Sequence, residues 1–228
     1  MTARPAVWGA VTAGCATAAA LWWFGDTAPY PYAMRKLLDL PLPFLTNRRL
    51  DALLAAGRGD RILEIGPGTG LQALHVARQL GPDGGLDIVD VQQPMLDHVM
   101  RKAAERTITS IRATRADARA LPFPDASFDA AYLVTALGEI PGPVATVREL
   151  RRVLKPGGRL VVGEFFDRHY VPMVTMIGHA HRNGFQLTSR LGPPFAYLAA
   201  FRVTPEGQPA LPLPRRCHLH GALCKTDS

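Results

Sequence analysis

Short apolar runs alternate with segments of helical spacing from residue 61 to residue 203 of this chain. Apolar runs bounded by glycine, proline or aspartate are typical of buried strands, whereas apolar residues three or four positions apart indicate one face of a helix. The pattern predicts strands at residues 61–65, 86–89, 111–115, 128–137, 160–166, 185–190 and 196–203. It predicts helices at residues 32–40, 47–56, 71–80, 92–106, 144–154 and 171–182.

The alternation of strands and helices decides the fold class. Strands that are joined through helices and short turns form a parallel sheet covered on both faces. A chain of 228 residues is long enough to bury the core of one such domain without disulfide bonds. The three cysteines are odd in number and scattered, which is typical of a reducing compartment. We therefore predict a single α/β domain.

A glycine-rich turn follows the first predicted strand, in the octapeptide Leu63–Gly70. Strand, glycine turn and helix form half of a nucleotide-binding unit, whose ligand lies at the carboxyl end of the strand. The spacing of Gly66, Gly68 and Gly70 matches neither the dinucleotide fingerprint nor the phosphate-binding loop, which carries a lysine. Glu64 would repel a pyrophosphate, but it suits a ligand with an ammonium or sulfonium centre.

Asp90 closes the second predicted strand, twenty residues after Gly70. An acidic residue at this point of a nucleotide-binding unit accepts hydrogen bonds from ribose hydroxyls. Taken alone, Asp90 would be interpreted as the N-cap of the next helix. Its position after the glycine turn favours ribose binding over the N-cap role.

Four ordered blocks between residues 61 and 166 resemble the class I S-adenosylmethionine-dependent methyltransferases. The glycine turn is similar to motif I of that family. The other blocks are Asp90–Leu96, similar to D-x-S-x-x-M-L with Gln92 at the serine position; Ala116–Asp129, similar to G-D-A-x-x-L-P-F-x-D-x-x-F-D; and Leu154–Leu160, similar to L-K-P-G-G-x-L. Together they most resemble the branch that includes quinone-biosynthesis C-methyltransferases and bacterial phospholipid N-methyltransferases.

The resemblance implies a Rossmann-like, seven-stranded, mostly parallel sheet with helices on both faces and an antiparallel last strand. It also implies S-adenosyl-L-methionine as the cofactor. Asp117 would accept a hydrogen bond from the adenine amino group, and the neighbouring residue would offer a backbone donor. The residues expected to bind the cofactor are Glu64, Gly66, Gly68, Gly70, Asp90, Val91, Asp117 and Ala118.

The methyl acceptor is expected above the carboxyl ends of the fourth and fifth strands. Transfer of a sulfonium methyl depends mostly on positioning, and a base is needed only if the acceptor holds a proton. Thr135, Glu139 and His169 are the candidate catalytic residues. Glu139 could orient an amine, act as a base or cap the following helix. His169 is the candidate imidazole, with a solvent-facing loop residue as the alternative.

Residues 6–24 form an uncharged, mostly apolar stretch that ends in two tryptophans and a phenylalanine. As a helix it would span about 28 Å, against about 30 Å of bilayer hydrocarbon. We interpret it as a membrane anchor or as an interfacial or lid helix; the alternatives are a secretory signal and a helix packed on its own domain. Basic residues after the stretch outnumber the single Arg4 before it, so we expect the catalytic part in the cytoplasm, with attachment to the cytoplasmic face of the membrane as a further expectation.

The chain thus divides into an apolar amino-terminal extension (1–45), a methyltransferase-like domain (46–203) and a proline-rich, disordered tail (204–228). The tail contains cysteines and histidines, but their spacing matches no standard zinc site, and no metal is expected.

The predicted function is methyl transfer from S-adenosyl-L-methionine to a small, lipid-soluble or amphiphilic acceptor, with residues 6–24 as the contact to a membrane surface. The alternatives are a soluble methyltransferase of a polar metabolite, an RNA methyltransferase and a non-catalytic protein that binds the cofactor. The net charge of +7 does not decide among them. No Asn-Pro-Pro-Tyr or Asp-Pro-Pro-Tyr motif follows the fourth strand, which disfavours the nucleic-acid enzymes that methylate amino groups of flat rings, and nucleic acid is not the expected partner. The sequence leaves the oligomeric state open.

Overall fold

The computed structural model describes residues 29–39, 42 and 44–204. The apolar stretch at residues 6–24 and the tail beyond residue 204 lie outside the described residues, and so do the predictions made for them. Within the described ranges, no helix is both long and apolar enough to cross a membrane.

The described part of the chain contains one sheet of seven strands, flanked by helices. The strands are β1 (Arg61–Ile65), β2 (Gly85–Asp90), β3 (Ile111–Arg115), β4 (Phe128–Val134), β5 (Leu154–Phe165), β6 (Phe185–Leu191) and β7 (Ala196–Val203). The α-helices are α1 (Asn47–Leu54), α2 (Ala73–Ala77), α3 (Gln93–Glu105), α4 (Pro143–Val153) and α5 (Met173–Arg182). Two further segments, Tyr32–Asp39 and Leu137–Glu139, are 3₁₀ helices.

The strand order is β3-β2-β1-β4-β5-β7-β6. Strands β1 to β5 run parallel to one another, whereas β7 lies between β5 and β6 and pairs with both in the antiparallel direction. The predicted Rossmann-like sheet, mostly parallel and with an antiparallel last strand, is confirmed.

Each face of the sheet carries its own hydrophobic core, because successive residues of a strand point to opposite faces. In β1, Leu63 and Ile65 belong to the core that is completed by α4 and α5. Ile62 belongs to the other core, which α1, α2 and α3 complete. Helices therefore cover both faces, as predicted, and the carboxyl ends of the central strands remain accessible at one edge.

Some boundaries differ from the prediction. β4 ends at Val134 instead of residue 137, because Thr135 adopts a left-handed backbone conformation with φ of 55°. β5 begins at Leu154, which pairs with Phe128, so the predicted turn between helix and strand lies inside the strand, where the register shifts. The piece predicted as a helix near residue 32 is a 3₁₀ helix, and α2 is shorter than predicted.

Candidate active site

A cavity of about 400 Å³ opens at the carboxyl ends of β1, β2 and β4. The strand order changes direction here, since β2 and β3 lie on one side of β1 whereas β4 and β5 lie on the other. Ligands of open α/β sheets bind at such a point. One wall of the cavity is formed by the amino-terminal strap, which we define as residues 29–39, 42 and 44–45.

The glycine turn brings β1 into close contact with the end of β4. Gly66 has φ of 66°, and a Cβ at this position would lie 2.6 Å from the Cβ of Ala136. The Gly66 amide donates a 2.8 Å hydrogen bond to the Val89 carbonyl, which ties the turn to β2 as well. A side chain at position 66 would therefore push apart the strand ends that form the floor of the cavity.

Most of the residues predicted to bind the cofactor line this cavity: Gly66, Gly68, Asp90, Val91, Asp117 and Ala118. Gly70 is not part of the lining. A Cβ there would come within 3.0 Å of the Val99 side chain, so Gly70 permits the turn to pack on α3.

Glu64 also lies behind the cavity wall instead of on it. Its carboxyl is almost fully buried and accepts a 2.8 Å hydrogen bond from the Tyr132 hydroxyl. Burial raises the pKa of Glu64 to about 8, and the nearby charge of Asp90 adds to this effect, whereas the Tyr132 hydrogen bond opposes it. Direct contact between Glu64 and a bound ammonium group stays a prediction.

Asp90 is the last residue of β2 and lies on the cavity wall. Its Oδ1 accepts a 2.8 Å hydrogen bond from the backbone amide of Gln92. Burial raises the pKa of Asp90, and this backbone hydrogen bond partly offsets the rise. The residue that caps α3 is Gln92, not Asp90, so the structure gives no support to the N-cap alternative.

Asp117 forms an ion pair with Arg119, a residue that the sequence analysis did not single out. The shortest distance between the two groups is 2.6 Å, from Nη2 to Oδ2, and both residues line the cavity. The hydrogen bonds from Arg119 lower the pKa of Asp117. The sequence does contain a signal for this ion pair, since Arg119 stands two positions after Asp117, which follows a predicted strand. At this spacing the two side chains can meet across one turn.

Hydrogen bonds to the Tyr30 backbone and to the Asp39 side chain hold the amino-terminal strap at the cavity. The amide of Tyr30 donates a 2.9 Å hydrogen bond to Oε2 of Glu139, and its carbonyl accepts a 2.9 Å hydrogen bond from Nε2 of Gln92. At the other end of its 3₁₀ helix, Asp39 accepts a 2.7 Å hydrogen bond from the Thr69 hydroxyl. Leu38, Leu42 and Leu45 of the strap add apolar wall.

Glu139 lies in the short 3₁₀ helix after β4 and faces the cavity. Its pKa is raised to about 7, mainly by burial and further by the charges of Asp167 and Asp90, whereas the hydrogen bond from Tyr30 opposes the rise. Helix α4 begins after Gly142 and has no side-chain cap. Glu139 therefore binds the strap and does not cap the following helix, which was one of its three expected roles.

The other two candidate catalytic residues are placed differently. Thr135 lines the cavity, and its hydroxyl donates a 2.8 Å hydrogen bond to the Val134 carbonyl. His169 is not part of the lining; its carbonyl oxygen packs against Gly138, where a Cβ would lie only 1.6 Å away. Asp167, two positions earlier, does line the cavity, and its Oδ1 accepts a 2.8 Å hydrogen bond from the His169 amide.

In the part of the chain that the structure describes, no group of three or more histidine, cysteine, aspartate or glutamate side chains is arranged to hold a metal ion. The side of the cavity at β4 and β5 instead combines carboxyl groups with apolar side chains. Ile140 and Phe165 lie there beside Glu139 and Asp167.

Comparison with known proteins agrees with this geometry. The family described as "Methyltransferase domain" matches residues 62–158. A demethylmenaquinone methyltransferase from Thermus thermophilus is 34% identical over 193 residues, which cover 84% of this chain and 85% of that protein. The ubiquinone/menaquinone biosynthesis C-methyltransferase UbiE from Pseudomonas putida is 38% identical over 108 residues, which cover 47% of this chain. The match spans only 42% of that relative's length.

A solved structure of a SAM dependent methyltransferase from Aquifex aeolicus has the same fold. It superposes with a TM-score of 0.69 at 17% identity, and the match covers 76% of this chain and 98% of that one. The glycine turn, the aspartates at the ends of β2 and β3 and the sheet order thus occur together in a chain that is similar to a methyltransferase over most of the length of both. The chain belongs to the family of S-adenosylmethionine-dependent methyltransferases.

Proposed function

We propose that this protein transfers a methyl group from S-adenosylmethionine to a small, lipid-soluble acceptor with an ionisable hydroxyl, such as a quinol ring. One observation carries the proposal: a single cavity is lined both by the half-buried carboxylate of Asp90 and by Glu139, together with the apolar side chains of Leu38, Leu42, Ile140 and Phe165. The names of the relatives in Thermus and Pseudomonas point to the same acceptor class.

The residues at the β1–β3 end of the cavity fit the cofactor. The Asp90 carboxylate would bind the ribose hydroxyls, and Asp117 with the backbone of Ala118 would bind the adenine. The close approach of Gly66 to Ala136 leaves backbone, without side chains, against the ligand. When bound, the cofactor supplies a methyl group on a positively charged sulfur, which an electron-rich atom of the acceptor can attack.

Glu139 is the base in this proposal. With its pKa near 7, the carboxylate takes the proton of an acceptor hydroxyl at neutral pH, which makes the acceptor ring more electron-rich. The left-handed backbone of Thr135 ends β4 and starts the turn that carries Glu139 to the cavity. Leu38, Leu42 and Phe165 would exclude water from the acceptor.

The apolar lining also separates the proposal from its nearest alternative. A polar metabolite would leave its hydrogen-bonding groups against Leu38, Leu42, Ile140 and Phe165, and burying unpaired polar groups is unfavourable. A lipid-soluble ring with one or two hydroxyls places its polar atoms at Glu139 and Asp167 and its carbons against the leucines.

The proposal is tested first by calorimetric titration of the full chain with S-adenosylhomocysteine, with NADH as the control ligand. Binding of S-adenosylhomocysteine alone supports the donor assignment. Transfer of a radiolabelled methyl group is then measured to a demethylated naphthoquinol with a short prenyl tail and to a water-soluble catechol. Transfer to the catechol alone, or binding without transfer to either, would contradict the proposed acceptor class.

A further inference from the structure

Four aromatic side chains form a connected patch on the surface, which we call the aromatic rim: Phe44, Phe166, Tyr170 and Phe195. The rings of Phe166 and Tyr170 are 5.9 Å apart, and those of Phe44 and Phe195 are 5.8 Å apart. The Tyr170 hydroxyl donates a hydrogen bond to the Pro194 carbonyl, which connects the two pairs. Phe166 is 64% exposed and Phe195 is 50% exposed.

The aromatic rim adjoins the acceptor side of the cavity. Phe166 stands between Phe165 and Asp167, both of which line the cavity, and Phe44 precedes Leu45, which also lines it. The aromatic rim and the cavity lining are therefore adjacent in the chain at two points. Val174, at the start of α5, is 82% exposed. An exposed apolar patch at the mouth of a binding site indicates an interaction surface.

Positive charge accompanies the rim. The Arg49 guanidinium lies 5.7 Å from the centre of the Phe44 ring and donates a 3.2 Å hydrogen bond to the Phe44 carbonyl. The preceding residue, Arg48, is exposed and adds a second basic group beside Arg49 in the chain. Aromatic rings beside basic groups are the combination that binds the headgroup region of an anionic bilayer.

We propose that the aromatic rim docks on the surface of an anionic lipid bilayer, so that the acceptor passes from the lipid directly into the cavity. The proposal rests on the lipid-soluble acceptor of the proposed function and adds the route by which the acceptor arrives. It concerns the folded domain itself and does not depend on residues 6–24. The exposed phenylalanines insert among the acyl chains, and the basic side chains bind the lipid phosphates.

The test measures the depth of individual positions in the bilayer, because a separate anchor could bind vesicles by itself. In the full chain with Cys15→Ser, Cys217→Ser and Cys224→Ser, a nitroxide is attached at Phe195→Cys and, as a control, at Ala104→Cys. Ala104 is exposed near the end of α3, at the opposite edge of the sheet. Collision rates with oxygen and with a water-soluble nickel chelate are measured with phosphatidylcholine vesicles that contain or lack phosphatidylglycerol.

The proposal predicts that the label at position 195 gains oxygen contact and loses nickel contact when phosphatidylglycerol is present, whereas the label at position 104 keeps its values in solution. Equal, water-like collision rates at both positions on bound vesicles would overturn the proposal. The absence of vesicle binding would also overturn it and would point to a protein partner at the rim. The measurement needs no turnover, so it can succeed even if the proposed reaction fails.

A second measurement links docking to acceptor delivery. The double variant Phe166→Ser/Phe195→Ser should methylate a prenylated naphthoquinol embedded in anionic vesicles about tenfold more slowly or worse than the unaltered chain, because apolar insertion is lost. It should keep the rate with the same acceptor in detergent micelles, which shows that it is folded. Equal rates of both proteins with vesicles would contradict the proposed route.

Discussion

Among single residues, Glu139 shows most directly how the fold sets the chemistry of the cavity. It sits on a turn that exists because Thr135 leaves the strand conformation. Burial there, together with the charges of Asp167 and Asp90, brings its pKa to about 7. A carboxyl group on the surface would be a much weaker base at neutral pH.

The variant Glu139→Gln should lower the methyl transfer rate by about 10²-fold, the usual effect of removing a positioned base. In the unaltered chain the rate should rise as the pH increases through about 7, since the base acts in its deprotonated form, and the variant should lose this dependence. Stopped assays with radiolabelled methyl donor between pH 5.5 and 8.5 measure both. The exposed Glu105→Gln serves as a control; an unchanged profile in Glu139→Gln would rule out Glu139 as the base.

Asp90→Ala should weaken the binding of S-adenosylhomocysteine by about 1.5–3 kcal/mol, the range for losing hydrogen bonds to a charged group. The matched control is Asp97→Ala, which removes an exposed carboxylate of α3 that accepts a hydrogen bond from Gln93 on its own helix. Calorimetric titration of both variants checks the prediction. Equal affinity of the two variants for S-adenosylhomocysteine would rule out Asp90 as the residue that binds the ribose.

At the level of elements, the strands of the central sheet could be predicted from the sequence because their apolar runs are bounded by glycine, proline and aspartate. The helical piece of the amino-terminal strap was also predicted, although it is a 3₁₀ helix, but the place of the strap at the cavity could not be predicted. Its contacts join residues far apart in the chain, such as Tyr30 and Glu139. The same limit applies to the loop after β5, where spacing alone could not show that Asp167 faces the cavity and His169 does not.

The strap should be loosened by Thr69→Val, which removes the hydrogen bond to Asp39 with little change in volume. We expect faster amide hydrogen exchange at residues 32–39 and weaker binding of S-adenosylhomocysteine, because Leu38 forms part of the cavity wall. Hydrogen exchange mass spectrometry measures the first effect. Ser110→Ala, which removes a hydrogen bond to Ala77 away from the cavity, is the control, and equal exchange in both variants would show that this contact does not hold the strap.

For the molecule as a whole, the buried carboxyl groups of Glu64 and Glu164 and the half-buried one of Glu139 link stability to pH. Burial raises the pKa of Glu64 and of Glu164 to about 8, and that of Glu139 to about 7, from an ordinary value of 4.5. The folded protein holds these protons more tightly than the unfolded chain. Their contribution to stability is therefore complete below pH 4.5 and is lost as the pH rises to about 8.

We expect the free energy of unfolding in urea to be lower at pH 8.5 than at pH 5.5, by an amount on the order of a few kcal/mol. Glu164→Gln should reduce this difference, because a neutral amide takes the place of a carboxyl group that must stay protonated in the buried site. Glu105→Gln should leave the difference unchanged, since Glu105 is exposed. A higher free energy of unfolding at pH 8.5 than at pH 5.5 in the unaltered protein would contradict the raised pKa values of these carboxyl groups.

The position of β7 also has a consequence for the order in which the molecule is built. Among the strands that the structure describes, β6 lies at the edge of the sheet and pairs with β7 alone, although it precedes β7 in the chain. A ribosome therefore releases β6 before its partner strand exists, and β5 keeps an unpaired edge until residues 196–203 have emerged. During that interval the nascent chain presents an apolar strand edge of the kind that templates aggregation, so an interruption of synthesis shortly before residue 196 produces its most vulnerable form.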